Sequence, residues 1–118
     1  MKEFPKFDYN GKSYDLSFYD DSVQLYAVEN VMSGVMVSQL IPSANDYVAV
    51  TGFRDFVAKR KEEKDVQVYR LVCVGVLNIE KIQIVDIEKT VLMDSRDDIQ
   101  KFLDDAKTFM LSWNEDGE

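Results

Sequence analysis

Residues 66–77, VQVYRLVCVGVL, restrict the possible folds more than any other part of this chain, because polar and apolar residues alternate at first and then give way to apolar ones throughout. A strand that is apolar on both faces belongs inside a sheet, where each face is covered and each edge is paired. It needs a neighbour on both sides. Residues 79–93 (IEKIQIVDIEKTVLM) follow after one short turn, are again β-branched, and supply an antiparallel neighbour. Residues 23–28 (VQLYAV) and 31–41 (VMSGVMVSQLI) have strand character on either side of Glu29-Asn30 and predict a hairpin. Pro42 ends its second arm, because proline has no N–H for a ladder.

An earlier hairpin is predicted over residues 4–19, where Asn10-Gly11 tolerates the positive φ of a type I′ turn. Phe7, Tyr9, Tyr14, Leu16 and Phe18 alternate within its arms, so one face is apolar and covers core. Asp20-Asp21-Ser22 breaks the pattern. Ser43-Ala44-Asn45-Asp46 offers several caps for a helix, weak over its β-branched first turns and strong over residues 53–64. Val50, Phe53 and Val57 share a face with Phe56 beside them, while Lys59, Arg60, Lys61 and Lys64 oppose the negative end of the helix dipole.

A second helix starts with Ser95 as cap and Asp97 and Asp98 in the first turn. Ile99, Phe102, Leu103, Ala106, Phe109, Met110 and Trp113 recur at three and four, a stripe that lies on the sheet, and residues 114–118 form a frayed acidic tail. The chain thus reads as one α+β domain over residues 1–118, a mainly antiparallel sheet of about six strands with two helices in the order ββββαββα.

Composition narrows the chemistry. The 118 residues are 46 % hydrophobic, enough for a core, and 22 acidic against 14 basic residues give a net charge of −8, which opposes broad contact with phosphate backbones or anionic membranes. The chain has no histidine, so Ser/His and Cys/His nucleophile pairs and imidazole metal sites are excluded. The single cysteine, Cys73, allows no internal disulfide, fits a reducing compartment and reads as a small buried side chain with an ordinary thiol. No apolar segment reaches the length that crosses a bilayer, so a soluble, cytoplasmic protein is expected.

The carboxylate pairs Asp20-Asp21, Asp97-Asp98 and Asp104-Asp105 lack the spacing of a metal-binding loop, and no phosphate-cradling glycine motif is present. A non-enzyme without cofactor or metal is expected. Two binding readings follow. Arg54, Lys59, Arg60, Lys61 and Lys64, diluted by Glu62, Glu63 and Asp65, serve single-stranded nucleic acid if Tyr9, Tyr14, Tyr19 and Tyr26 form a solvent-facing stacking platform. Alternatively Asp97, Asp98, Asp104, Asp105 and Asp116 form an acidic face that mimics nucleic acid and occupies a basic host or phage protein, as an inhibitor or adaptor.

Residues 25–86 carry a resemblance. Tyr26-Ala27-Val28-Glu29, Gly34, Pro42 before Asn45-Asp46, Gly52-Phe53-Arg54-Asp55-Phe56, and Tyr69-Arg70-Leu71 with Val74-Gly75-Val76-Leu77-Asn78 stand in an order that resembles the small nonstructural, DNA-binding protein of gokushovirus-type single-stranded DNA phages of the Microviridae. Gly52 stands where that family usually has alanine, and Leu77-Asn78 where it has Phe-Asp. The resemblance implies a phage accessory protein of the host cytoplasm, acting around single-stranded genome synthesis or handling, that binds single-stranded DNA or the replication and packaging machinery. It carries over no catalytic residue. A homodimer is also expected, through the sheet or the aromatic amino-terminal hairpin, unless that hairpin closes the sheet of its own chain.

Overall fold

The computed structural model describes residues 2–61 and 67–117, with side chains described through Trp113. Eight elements follow in the expected order: β1 (Phe7–Tyr9), β2 (Lys12–Tyr14), β3 (Ser22–Asn30), β4 (Ile41–Ser43), α1 (Asp46–Lys59), β5 (Tyr69–Asn78), β6 (Gln83–Asp94) and α2 (Ile99–Gly117). The fold is α+β, but the strands divide into two antiparallel sheets, the β1-β2 hairpin and a four-stranded sheet ordered β4-β3-β5-β6. As its apolar faces require, β5 is interior, with β3 and β6 on either side.

Asn10 and Gly11 take φ values of 50° and 78°, the turn that their residue types allow, and Phe7 faces Tyr14 across the hairpin. Residues 31–40 depart from the expected strand. Asn30 Oδ1 accepts the N–H groups of Met32 and Ser33, and Gly34, at φ 70°, donates to the Asn30 carbonyl, so the chain turns there. Pro42 lies inside β4 rather than beyond it, because β4 is an edge strand and needs no outward ladder bond.

Other boundaries move for local reasons. Residues 79–82 form the β5-β6 turn, so β6 begins at Gln83. Ser95 is not the α2 cap: its Oγ accepts the Tyr69 N–H, and Asp98 Oδ1 takes the capping role by accepting the Lys101 N–H. The helical backbone of α2 is assigned to Gly117.

Both helices and the β1-β2 hairpin pack on one face of the large sheet, around Tyr26, Leu71, Cys73, Phe53 and Phe102. Strand alternation directs Leu25, Ala27 and Val72, which are also buried, to the opposite face outside that cluster. There the buried Glu29 carboxylate meets Arg70 Nε at 3.4 Å and Lys89 Nζ at 3.1 Å. A bulge makes the second contact available: Cys73 pairs with Thr90 and Gly75 with Asp86, so residues 87–89 stand opposite Val74 alone and Lys89 leaves the regular ladder. Gly75 suits the close approach beside it, because a Cβ there would sit 3.0 Å from the Val85 carbonyl oxygen, tighter than most such contacts.

A second bulge, at Leu92, interrupts pairing between Leu71-Met93 and Val72-Val91. The Leu92 carbonyl is taken up by the Tyr14 hydroxyl at 2.6 Å, which fastens the small hairpin to the end of β6. The hairpin aromatics then meet α2: Phe102 lies 4.6 Å from the Tyr14 ring, 5.3 Å from Tyr9 and 5.8 Å from Phe7, and Phe109 lies 5.0 Å from Phe7. The amino-terminal hairpin thus packs against α2 of its own chain, while Phe18 stays exposed.

Phe102 is fully buried, so Phe102→Ala should lower the unfolding free energy by about 3–5 kcal/mol in urea titration. Phe7→Ser should likewise lower the urea midpoint and leave the mass in light scattering unchanged. A fall in mass without loss of stability would make the hairpin an intermolecular contact.

Candidate functional site

A cavity of about 480 Å³ lies between the small hairpin and the end of β6, with Tyr14, Asp15, Gln24, Asp46, Cys73 and Leu92 among its walls. Asp46, the first residue of α1, is 7 % exposed. Its carboxylate accepts the Tyr26 hydroxyl at 2.6 Å and the Asp15 N–H at 2.7 Å, while its own N–H donates to the Asp15 carbonyl at 3.0 Å. Asn45 completes the junction, its Oδ1 accepting the Val48 N–H as the α1 cap and its Nδ2 donating to the Leu16 carbonyl.

Asp15 accepts in turn from the Ser17 N–H and the Tyr19 hydroxyl, and Lys6 Nζ lies 3.3 Å away. Cys73 Sγ donates to Gln24 Oε1 at 3.4 Å. Burial pushes the Cys73 thiol up, so it stays protonated at neutral pH and is a poor nucleophile. Burial also raises Asp46, outweighing the two hydrogen bonds that favour its charged form, and pushes the Tyr14 hydroxyl up to about 12. These groups hold one another. Among the described residues no cluster of three or more Cys, Asp or Glu side chains is placed to hold a metal ion.

The basic and acidic residues singled out from the sequence meet in a groove of about 340 Å³ between α1 and α2. Arg54 lines it from α1 and Lys61 from the turn after α1, Asp97 and Asp98 from the residues just before α2, and Val57 and Ile99 are apolar parts of its lining. Arg54 donates to Gln100 Oε1 at 3.2 Å and pairs with Asp55. Arg60 lies flat on Phe56, 3.6 Å from the ring centroid, and Lys59 is exposed at the end of the helix. Lys64 falls outside the described residues.

On the acidic side, Asp97 accepts the Asp94 N–H, Asp98 caps α2, Gln100 donates to Asp104, and Lys101 Nζ sits 2.8 Å from Asp105. The side chain of Asp116 falls outside those described. The tyrosine platform does not form: Tyr14 and Tyr26 are buried, Tyr9 packs on Phe102, and the Tyr19 hydroxyl is bound to Asp15. Alternation within strands located these tyrosines but not the side on which the helices would lie. Asp15 and Asp46 escaped sequence reasoning because their contact joins positions 31 residues apart, and the one local sign was an aspartate directly after the capping asparagine.

Apolar side chains outside the core gather in two places. Met32, Val35, Met36 and Leu40 are exposed in the β3-β4 connection. Ile79, Ile82, Ile84 and Val85 are exposed at the end of the β5-β6 hairpin, where residues 79–90 of the edge strand and its turn are open to solvent. Among the described residues no helix is long and apolar enough to cross a membrane. Comparison with protein-family models, with curated proteins and with solved structures found no match.

Asp46 sets a pH dependence of defined sign. A carboxyl raised on folding contributes stability that is complete below its ordinary value of 3.8 and is lost as pH rises through its folded value. The stability difference between wild type and Asp46→Asn should therefore shift against wild type as pH rises from below 3.8 to neutrality, in urea midpoints collected across that interval. A difference that moves the other way would contradict the assignment.

Proposed function

We propose that this chain is a non-enzymatic accessory protein that works by binding another protein. The observation that carries the proposal is the exposure of aliphatic side chains, outside the core cluster, in two separate places: the β5-β6 tip, beside the start of β3, and the β3-β4 connection, which leaves the other end of β3. Groups of exposed apolar side chains set among polar residues are a common mark of a surface that a partner covers. The carboxylates and the thiol that line the cavity beside the small hairpin support the same reading, because each is engaged in hydrogen bonds within the fold.

The resemblance to the nonstructural protein of single-stranded DNA phages gives this proposal its setting: the replication or packaging machinery of a phage, in the host cytoplasm. Of the two binding modes implied there, contact with a protein is better supported than contact with DNA. Asp97 and Asp98 share the groove of Arg54 and Lys61 and would repel a phosphate backbone, and no exposed tyrosine row stands ready to stack bases. The net charge of −8 acts in the same direction and suits a basic partner surface.

Fluorescence anisotropy with labelled single-stranded oligonucleotides at low salt separates the modes. The proposal predicts no saturable binding up to about 50 µM, a range in which even non-specific binding to phosphate backbones is commonly seen at low salt. Saturable binding below that concentration, abolished by Lys59→Glu with Lys61→Glu, would make the protein a nucleic-acid binder and overturn the proposal.

A further inference from the structure

The turn between β5 and β6 closes on a left-handed residue, as hairpin loops of this length commonly do, but places there a residue type that the turn itself does not favour. Ile82 adopts φ 50°, a left-handed conformation that asparagine and glycine hold at little cost and that a β-branched side chain holds under strain. Strain of this kind persists where something offsets it, yet Ile82 is 87 % exposed and gains almost no burial. Its surroundings repeat the pattern: Ile79 is 49 % exposed and Ile84 59 %.

The tip is also charged in one sense. Ile79 donates its N–H to the Asp21 carbonyl, which holds the Asp20-Asp21 turn against the hairpin end, and Glu80 and Asp86 add exposed carboxylates against the single ammonium of Lys81. Acidic flanks around an apolar point are poorly matched to an anionic membrane and to a second copy bearing the same acids. They match a protein whose apolar cleft has a lysine or arginine rim.

We propose that the β5-β6 tip is the docking element of this protein, with Ile82 entering an apolar cleft on a partner protein and the surrounding carboxylates meeting basic residues at the rim of that cleft. The assignment rests on the protein-binding reading above and narrows it to one element and one partner chemistry. The β3-β4 connection, equally rich in exposed aliphatics, lacks both the strained residue and the acidic flank, and so serves as the internal comparison.

The test is an NMR titration of the ¹⁵N-labelled full chain with a synthetic amphipathic leucine-lysine peptide, alongside a leucine-glutamate peptide of the same pattern. The lysine peptide should give saturable shifts centred on the amides of residues 79–86, and the glutamate peptide should give none. Ile82→Asn, which keeps the turn and should raise the urea midpoint, should weaken peptide binding at least tenfold. Equal binding of both peptides, or undiminished binding by a folded Ile82→Asn, would overturn the docking assignment. Shifts confined to residues 31–40 would overturn it and leave the protein-binding reading standing, whereas the absence of shifts anywhere would count against both. Shifts at the tip that depend on protein concentration alone would replace the partner with a second copy.

Discussion

The buried carboxylate of Asp46 is the point on which the arrangement of this fold depends. Through two hydrogen bonds it joins the chain after the small hairpin, at Asp15, to the middle of the large sheet, at Tyr26, while standing at the first turn of α1. Three segments that share no strand pairing are thereby fixed in one place. The hairpin can then present Phe7, Tyr9 and Tyr14 to α2, whose Phe102 closes the core over them. Breaking one contact to Asp46 would leave a buried polar group without its partner, a loss of about 1–3 kcal/mol that few domains of this size absorb without loosening.

The charged residues inside this frame are committed to holding it together. Glu29 ties Arg70 and Lys89 on the face without helices, Asp94 binds Arg96 and is held below the usual carboxylate range by it, and Asp98 caps α2. The two charge clusters that stand out in the sequence are therefore largely absorbed by local structure, and where they meet, between α1 and α2, they oppose each other. Unabsorbed surface is found instead among aliphatic side chains. The edge strand β6 is blunted by its bulge and its charges, as edge strands of soluble proteins commonly are, so its exposed isoleucines point to side-chain docking more than to strand addition.

Element types and their order were legible in the sequence because each rests on a local pattern. The Asn10-Gly11 turn, the double-sided apolarity of β5 and the three-four stripe of α2 all act over a few residues. Boundaries shifted where a side chain made a backbone contact that periodicity does not encode, as when Asn30 turned the chain at residues 31–34 and Ser95 bonded Tyr69 instead of capping α2. The division into two sheets, and with it the burial of Tyr14 and Tyr26, follows from long-range packing that alternation cannot supply. Arg54 and Lys59 do lie on α1, but the helix ends at Lys59, so Arg60 caps it and Lys61 follows it; the acidic neighbours across the groove come from just before α2, more than 30 residues later, and no local signal reports that approach.

If the Asp46 junction organises the fold, its backbone partners should open only when the whole molecule unfolds. Native-state hydrogen exchange of the Asp15 amide, which donates to the Asp46 carboxylate, measures this directly. The Asp15 amide should exchange as slowly as the central β3 and β5 amides, through global unfolding, while amides at the β5-β6 tip exchange orders of magnitude faster. Exchange of the Asp15 amide at the rate of the tip would contradict that role of Asp46.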